Sequence, residues 1–323
     1  MRYRKLGKSQ VEVSEISLGC WTMGGLNWVN GQPNGWANVD EAEVARGIDH
    51  ALDQGVNHFD NADVYGNGRA ERMLARVLGK RSNKVVIATK VGHFPGTAEH
   101  AYEARHIRHQ CEQSLLNLKR DFIDLYYFHH GDFGPGDGYL EGAVGVMRDL
   151  QREGKLRLLG LSAYSSDDFV RLVPVVKPDV LQSWAHAMDT QFIDPGTAVR
   201  KLMDQQELSF VAFSPLAQGL LLGKYPPGSK PQFEAGDHRK GSGQFSEEHL
   251  RKVDAQVQKL KRKFGETPED LARVALQYLL SYSCTACVIP GFRNLRQVEI
   301  NLRGADAPLS AEDVQYVREV MQS

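Results

Sequence analysis

The chain has 323 residues, of which 41% are hydrophobic and 24% are charged, and its 39 basic residues nearly balance its 40 acidic ones. A net charge of −1 lacks the electrostatic footprint of a nucleic-acid-binding protein, and no basic run points to a membrane surface. The N-terminal stretch MRYRKLGKSQVEV has no apolar core of a secretion signal, and no apolar run reaches the ~18 residues of a membrane span. We therefore expect a cytoplasmic protein without nucleic-acid or membrane partners, and homo-oligomerisation stays open.

The predicted elements begin with a β-hairpin in MRYRKLGKSQVEV, with GKS as its turn. Short apolar runs follow, rich in β-branched and aromatic residues and mostly without alternation, as in strands buried on both faces. They read EISLGC, VNHFD, KVVIATK, FIDLYYFHH, RLLGLSA, DVLQSWA, SFVAFS and ACVIPG. Segments with helical periodicity separate them, among them DEAEVARGIDHALDQG, RAERMLARVLGK, IRHQCEQSLLNLK, GAVGVMRDLQREGK and EDLARVALQYLLS.

Strands alternating with helices indicate an α/β protein, and eight strands is the count of a (β/α)8 TIM barrel. We predict a single barrel domain over residues 1–323, with the N-terminal β-hairpin and extra C-terminal helices, the last being LSAEDVQYVREVMQS. Long loops are expected at residues 21–38 and 216–245. A doubly wound dinucleotide-binding fold would need G-x-G-x-x-G after the first strand, where the sequence reads CWTMGGLNW instead.

The four cysteines are too few for a disulfide scaffold. Cys284 and Cys287 form a C-x-x-C pair, but a zinc site needs a second pair of ligands, and this pair lies in a predicted strand. The segment RHIRHQC also contains possible metal ligands, yet it begins a predicted helix. We therefore predict no bound metal.

Polar residues gather where three consecutive predicted strands end. Asp60 ends the second strand with Asp63 and Tyr65 just beyond it, Lys90 ends the third, and His129 follows the fourth. Chemistry in such a barrel lies at the carboxyl ends of its strands, and a lysine held near the core needs a carboxylate partner, which Asp60 can supply. The Lys90 ammonium should lower the pKa of Tyr65, so that the phenol donates a proton to a developing alkoxide while His129 directs the carbonyl.

The sequence resembles the aldo-keto reductases. GVNHFDNADVYGNGRAER is similar to the Asp–Tyr signature of that family, IATK to its lysine strand and DFIDLYYFHH to its histidine strand. LGLSAYS, FSPLAQGLLLGK and IPGFRNLRQVEINL match its cofactor-binding segments in order, so the resemblance covers roughly residues 3–302. It implies reduction of an aldehyde or ketone, with Asp60, Tyr65, Lys90 and His129 as the catalytic tetrad and Tyr65 as general acid.

The resemblance also implies NADPH bound across the barrel mouth. Ser162 and Gln182 would hold the nicotinamide carboxamide, and Phe213 would stack on its ring. The remaining residues of the expected cofactor site are Ser214, Pro215, Leu216, Gly219, Leu222 and Lys224 around the pyrophosphate, Gly291 beside them, and Gln297 and Asn301 at the adenine.

The adenosine end has a separate physical argument. Asn294 precedes Gln297 by three residues, which resembles the capping-box start of a helix. Helix N-termini bind anions, and Arg293 beside this one suits a phosphate. A 2′-phosphate therefore fits, which favours NADPH over NADH.

Four positions depart from the family pattern. Ala163 replaces a usual asparagine that contacts the nicotinamide, and Phe213 replaces the usual stacking tyrosine. Ile300 replaces an acidic residue before the adenine-contacting asparagine, and Asn61 replaces a threonine beside Asp60. These changes affect the expected cofactor affinity more than the chemistry.

Several apolar and aromatic side chains lie on loops at the predicted barrel mouth. We expect them to form an apolar, partly aromatic substrate pocket. Its predicted members are Trp21, Met23, His93 and His130, with Trp28, Trp36, Phe94 and Phe133 nearby and Asp132 or Asp137 at the edge. The identity of the substrate stays open. Two alternatives also stay open: a Schiff-base lyase that uses Lys90, and a slowly turning-over, cofactor-holding regulatory subunit of the kind that the same family includes in ion channels.

Overall fold

Twelve β-strands and eleven α-helices make up the computed structural model, which describes residues 1–29, 31–229 and 231–323. The strands are β1 Tyr3–Lys5, β2 Glu12–Ser14, β3 Leu18–Gly19, β4 Leu26–Val29, β5 Gln32–Gly35, β6 His58–Asp60, β7 Val86–Val91, β8 Ile123–Phe128, β9 Leu156–Ser162, β10 Val180–Trp184, β11 Ser209–Phe213 and β12 Thr285–Ile289. The helices are α1 Trp21–Gly24, α2 Glu41–Asp53, α3 Arg69–Leu78, α4 Ala104–Leu118, α5 Leu140–Arg152, α6 Ser166–Val176, α7 Ala198–Gln206, α8 Glu247–Phe264, α9 Pro268–Leu280, α10 Leu295–Leu302 and α11 Ala311–Gln322.

Eight parallel strands form the central sheet in the order β3-β6-β7-β8-β9-β10-β11-β12. Parallel bridges from Ile16 to Val288 and from Gly19 to Gly291 join the first strand to the last. The sheet therefore closes into the predicted (β/α)8 barrel, and the strand order follows the chain as in other barrels of this kind.

The barrel interior is packed with apolar side chains. Tyr127 of β8 fills its centre, and a Cβ added to Gly160 on the neighbouring β9 would run into the Tyr127 ring. Glycine at position 160 is thus required by close approach of the aromatic ring. The helices pack their apolar faces against the outside of the strands and enclose a second, larger core.

The N-terminal hairpin closes the base of the barrel. β1 and β2 pair antiparallel, as predicted, and Leu6 and Val13 are fully buried against the interior residues. Arg4 donates hydrogen bonds to the carbonyl oxygens of Leu280 and Thr285, both at 2.8 Å. The hairpin is thereby attached to the last helix–strand unit of the barrel.

The two predicted long loops contain regular structure. After β3 the chain forms the short helix α1 and an antiparallel pair, β4 and β5. The segment after β11 contains 3₁₀ turns at Ala217–Leu222 and Gly243–Phe245 before α8 begins. Positions 30 and 230 belong to these two predicted loops and lie outside the described residues.

All four cysteines are free and buried. Cys287 lies in β12 as predicted, but Cys284 lies in the turn just before that strand, so the prediction was wrong for this member of the pair. Within residues 1–29, 31–229 and 231–323, no helix combines the length and the apolar character needed to cross a membrane.

Candidate functional site

The polar ends of β6, β7 and β8 meet at one end of the barrel. Parallel pairing aligns Asp60 of β6 with Ala88 of β7, two residues before Lys90. His129 follows β8, where its backbone N–H donates to the carbonyl of Val91 at 2.9 Å. The register of three parallel strands therefore brings Asp60, Lys90 and His129 to the same edge, as the sequence predicted.

Lys90 is 1% exposed, and its ammonium is enclosed by acceptors. It donates to a carboxylate oxygen of Asp60, to the backbone carbonyl of Asn61 at 2.7 Å and to the Tyr65 hydroxyl oxygen at 3.4 Å. The other oxygen of Asp60 accepts from Nε2 of Gln182 at 2.7 Å. The buried lysine charge is thus neutralised by a buried carboxylate, without which its burial would be strongly unfavourable.

Tyr65 lies in the turn after β6. The following Gly66 has φ +59°, and a Cβ there would overlap the backbone carbonyl of Gly24 in α1. Glycine at position 66 lets the turn press against α1. The same helix provides Trp21, whose ring stacks on that of Tyr65 with centroids 6.1 Å apart and 28° between the planes.

The pKa of Tyr65 lies well above its ordinary value near 10 because of burial first, and then because of the negative charge of Asp60. The sequence predicted that the Lys90 charge would lower this pKa overall, and that prediction is wrong, because the net shift is upward. The Lys90 charge is already paired with Asp60, so it cannot outweigh desolvation of a phenolate. Tyr65 keeps its proton at neutral pH.

His129 is neutral for the complementary reason. Burial, followed by the charges of His93, Lys90 and His130, holds the pKa of His129 well below 6.5. Its ring contacts the Tyr65 ring edge-on at a centroid distance of 5.9 Å and the His93 ring at 4.3 Å. A protonated phenol and a neutral imidazole thus face the same space.

That space is a cavity of about 930 Å³ at the carboxyl ends of the strands. Asp60, Tyr65 and His129 line it, and Lys90 lies behind them. All the predicted cofactor residues line it as well: Ser162, Gln182, Phe213, Ser214, Pro215, Leu216, Gly219, Leu222, Lys224, Gly291, Arg293, Gln297 and Asn301.

The wall formed by β9, β10 and β11 fits an amide-bearing ring. The Ser162 hydroxyl is buried at the cavity and has no hydrogen-bond partner among the described residues. The Gln182 amide nitrogen is engaged with Asp60, which leaves its carbonyl oxygen as an acceptor. With the Phe213 ring beside them, these groups suit the carboxamide and ring of a nicotinamide.

Three cations line another part of the cavity: Lys224, Arg239 and Arg293. Burial and the charges of Arg293 and Arg239 lower the pKa of Lys224, so the three groups act on one another. The carboxylate of Asp237 forms an ion pair with the Arg239 guanidinium at 2.7 Å and neutralises that charge. The Trp36 ring centroid lies 4.6 Å from the same guanidinium. The remaining positive charge suits phosphate groups.

Arg239 was missed from the sequence because it lies in the segment expected to be an irregular loop, where no spacing or motif distinguishes it. Other lining residues of that region, and of the β9 and β10 ends, were likewise not assigned to the site from the sequence. They include Tyr164, Trp184, His186, Asp189, Gln218, Tyr225, His238 and Gln244.

The α10 N-terminus differs in detail from the predicted capping box. The Asn294 side chain accepts from the backbone N–H of Gln297 at 2.9 Å, as expected. The Gln297 side chain, however, accepts from the backbone N–H of Arg293 at 2.8 Å, not from that of Asn294. Asn301 donates to the carbonyl of Gly291 at 3.2 Å, so the far end of the helix is tied to the β12 end.

The predicted substrate residues separate into two groups. Trp21 and His93 line the cavity, as does Trp36. Met23 is fully buried in the core, and His130 turns its ring away to contact the Gly92 carbonyl at 2.7 Å. Assigning these two residues to the pocket was therefore wrong.

The other pocket candidates also lie elsewhere. Trp28 is exposed and Phe133 is buried in the core, and neither they nor Phe94 line the cavity. Asp132 and Asp137 line a separate, shallow surface depression.

Residues 15–322 match the Aldo/keto reductase family. The chain is 32% identical to aldo-keto reductase str7 of Strobilurus tenacellus, over 99% of this chain and 91% of that protein. It is 29% identical to a probable voltage-gated potassium channel subunit beta of Arabidopsis thaliana, over 100% of this chain and 97% of that protein. The holo form of the aldo-keto reductase AKR11C1 from Bacillus halodurans superposes with a TM-score of 0.73 at 25% identity, covering 99% of this chain and 96% of that one.

Proposed function

Because the chain belongs to the aldo/keto reductase family of oxidoreductases, we propose that it reduces an aldehyde or ketone to an alcohol with NADPH. One observation carries the proposal: Tyr65, Lys90, Asp60 and His129 form a single contact cluster at the wall of the large cavity. We propose that the substrate carbonyl binds against this cluster.

Tyr65 is the proton donor in this scheme. NADPH, when bound, supplies the hydride that the carbonyl carbon accepts. Tyr65 holds its proton because its pKa is raised, and it transfers that proton to the carbonyl oxygen as negative charge develops there. The Lys90 ammonium, 3.4 Å from the phenol oxygen, stabilises the phenolate that remains.

The neighbouring residues fix positions and exclude water. Asp60 holds Lys90 in place, since each is almost completely buried and contacts the other. The neutral His129 ring can donate one hydrogen bond to the carbonyl oxygen and so orient it. Trp21 covers the Tyr65 ring and shields the reacting oxygen from solvent.

The preference for NADPH rests on charge. Ser162, Gln182 and Phe213 would hold the nicotinamide, which leaves Lys224, Arg239 and Arg293 for the phosphates. Lys224, Arg239 and Arg293, less the carboxylate of Asp237, leave a net charge of +2, which matches the two negative charges of a pyrophosphate. We assign Arg293 to a 2′-phosphate because it lies just before the N-terminus of α10, where backbone N–H groups also attract an anion.

Two other functions are compared with the reductase. The likeness to a probable potassium channel subunit beta supports a second candidate, a regulatory subunit that binds the cofactor and turns over slowly. A Schiff-base lyase is less favoured, because the Lys90 amine is held by Asp60 and Asn61 behind the cavity wall.

A binding and turnover experiment tests the proposal. Fluorescence titrations with NADPH and NADH should give tighter binding of NADPH, and 4-nitrobenzaldehyde should be reduced. Tyr65→Phe should lower kcat by about 10²-fold or more with little change in NADPH affinity, because only the proton donor is lost. The matched control is Tyr139→Phe, a tyrosine outside the cavity.

Binding without turnover of any aldehyde would support the regulatory subunit. A Tyr65→Phe enzyme with wild-type kcat would contradict the mechanism, and failure to bind either cofactor would contradict the reductase assignment.

A further inference from the structure

A second polar pair lies in the cavity beside the catalytic cluster. Nε2 of His93 and the hydroxyl of Tyr164 are 3.3 Å apart, and both side chains line the cavity. Tyr164 follows β9 and is 42% exposed, a large fraction for a side chain within a cavity. Its hydroxyl makes one long hydrogen bond and is open to a further partner.

This pair is connected to the reacting groups by a row of rings. Ring centroids are 5.9 Å apart between Tyr65 and His129, 4.3 Å between His129 and His93, and 6.4 Å between His93 and Tyr164. The Phe213 ring lies 6.4 Å from Tyr164, edge-on. A molecule whose carbonyl contacts Tyr65 would therefore extend along His93 toward the Tyr164 hydroxyl.

The His93 side chain is held in place from the other side. Its ring packs on that of His130 at a centroid distance of 4.7 Å, and His130 is itself fixed by its hydrogen bond to the Gly92 carbonyl. The pair is thus presented by supported side chains, which favours its use as a binding group.

Both members of the pair are uncharged near neutral pH. Burial, with smaller effects of His130 and Lys90, lowers the pKa of His93 to about 4. The Tyr164 phenol is also protonated, because a tyrosine ordinarily titrates at about pH 10. A neutral hydrogen-bonding pair suits a hydroxyl, ether or carbonyl oxygen better than a carboxylate, whose desolvation it could not offset.

The charges around the pair lead to the same conclusion. Lys90 is the cation that acts on His93 and Tyr164, and its charge is already matched by Asp60. The other lining cations, Lys224, Arg239 and Arg293, act on one another in the part of the cavity assigned to phosphates. The described residues near Tyr65 thus offer no unmatched cation to a substrate carboxylate.

We propose that His93 and Tyr164 form a second anchor for the substrate, and that the substrate class is uncharged carbonyl compounds with an additional hydroxyl or ether oxygen. This inference rests on the proposed reductase function and adds the class of molecule reduced. The anchor selects among substrates, while the reacting carbonyl stays with Tyr65 and His129.

Matched aldehydes test the anchor. With NADPH, kcat/KM is measured for benzaldehyde, 3-hydroxybenzaldehyde and 3-carboxybenzaldehyde. In the wild type the hydroxyl compound should exceed benzaldehyde by roughly tenfold, the size expected of one neutral hydrogen bond, and the carboxylate should fall at least tenfold below benzaldehyde. Tyr164→Phe and His93→Leu should each bring the hydroxyl-to-benzaldehyde ratio close to one, mainly through KM, and His93→Gln should restore part of it.

The ratio is taken within one preparation, so partial misfolding of a variant cancels. Tyr139→Phe is the matched control and should keep the wild-type ratio. A wild-type ratio near one, a preference for the carboxylate, or a hydroxyl preference that survives Tyr164→Phe would overturn the proposal.

Failure of the anchor and failure of the reductase assignment give different results. If benzaldehyde is reduced but the ratios do not follow the expected order, the reductase stands and the anchor falls. If no aldehyde is reduced, the reductase falls, and calorimetric Kd values for the same three compounds and variants decide on the anchor by the same ratios.

Discussion

Tyr65 is partly buried and His129 is buried, and the loss of water shifts their pKa values in opposite directions. Loss of water disfavours the charged form, which is the phenolate for tyrosine and the imidazolium for histidine. The pKa of Tyr65 therefore rises and that of His129 falls. Each residue is left in the neutral, hydrogen-carrying form that a carbonyl oxygen requires.

This pair of shifts predicts the pH dependence of reduction. Tyr65 would lose its proton only as pH rises through its raised pKa, and His129 would gain one only as pH falls through its lowered pKa. Neither changes charge between roughly pH 7 and 9, so we expect kcat for aldehyde reduction at saturating NADPH to be flat across that range. A decline of kcat with a midpoint below about pH 9 would contradict the raised pKa of Tyr65.

The sequence was sufficient to predict which catalytic candidates meet, but not their protonation. Asp60, Lys90 and His129 come together because strand ends in a parallel barrel share one edge, and that pattern is local. The pKa of Tyr65 depends on how completely α1 and its Trp21 cover the ring. α1 lies in a segment whose sequence shows no helical or strand periodicity. The burial of Tyr65 could therefore not be predicted, and the predicted direction of its pKa shift was wrong.

Among the elements, the barrel strands were predictable and the segments that cover the barrel mouth were not. The strands are short apolar runs whose burial on both faces is visible in composition. β4 and β5, in contrast, lie in the polar stretch LNWVNGQPNG. The first Asn-Gly pair of this stretch was the available sequence signal for a hairpin. The abundance of glycine, asparagine and proline in the stretch is typical of loops, and favoured the wrong assignment.

The packing of β8 against β9 gives a prediction at this scale. A Cβ at position 160 would overlap the Tyr127 ring inside the barrel, so Gly160→Ala should destabilise the fold by about 1–3 kcal/mol. Urea unfolding measures the change. Gly145→Ala is the matched control: this exposed glycine lies within α5 with open space around it, and alanine there should stabilise the helix by about 0.5–1 kcal/mol. Equal midpoints for the two variants would show that the ring tolerates the added methyl group.

At the scale of the whole molecule, the cavity has a positively charged part and a neutral part, and different segments of the chain supply the two. Lys224 and Arg239 come from the segment after β11 and Arg293 from the β12–α10 connection. The neutral groups proposed to act on the substrate, Tyr65 and His129, come from the turn after β6 and the end of β8. Only Arg293 and Lys224 could be anticipated, because they belong to recognisable segments. Arg239 reaches the cavity through a loop path that depends on tertiary contacts with Trp36 and Asp237.

This division predicts a cofactor-selective variant. Removing the guanidinium in Arg293→Met should raise the Kd of NADPH by about 10- to 100-fold, the range for a lost charge-assisted hydrogen bond. The Kd of NADH should change far less, because it has no 2′-phosphate. Fluorescence titration gives both constants, with Arg251→Met on the exposed surface of α8 as the control. Equal weakening of the two cofactors would place Arg293 at the pyrophosphate instead.

The burial of all four cysteines has a chemical consequence for a protein of the proposed class. Aldehydes are electrophiles, and thiolates are among the side chains that add to them most readily. Burial raises the pKa of Cys111 to about 12 and raises those of Cys20, Cys284 and Cys287 as well. A reductase of the proposed kind would thus keep its own nucleophilic sulfurs protonated and out of reach, and would resist covalent modification by its substrates.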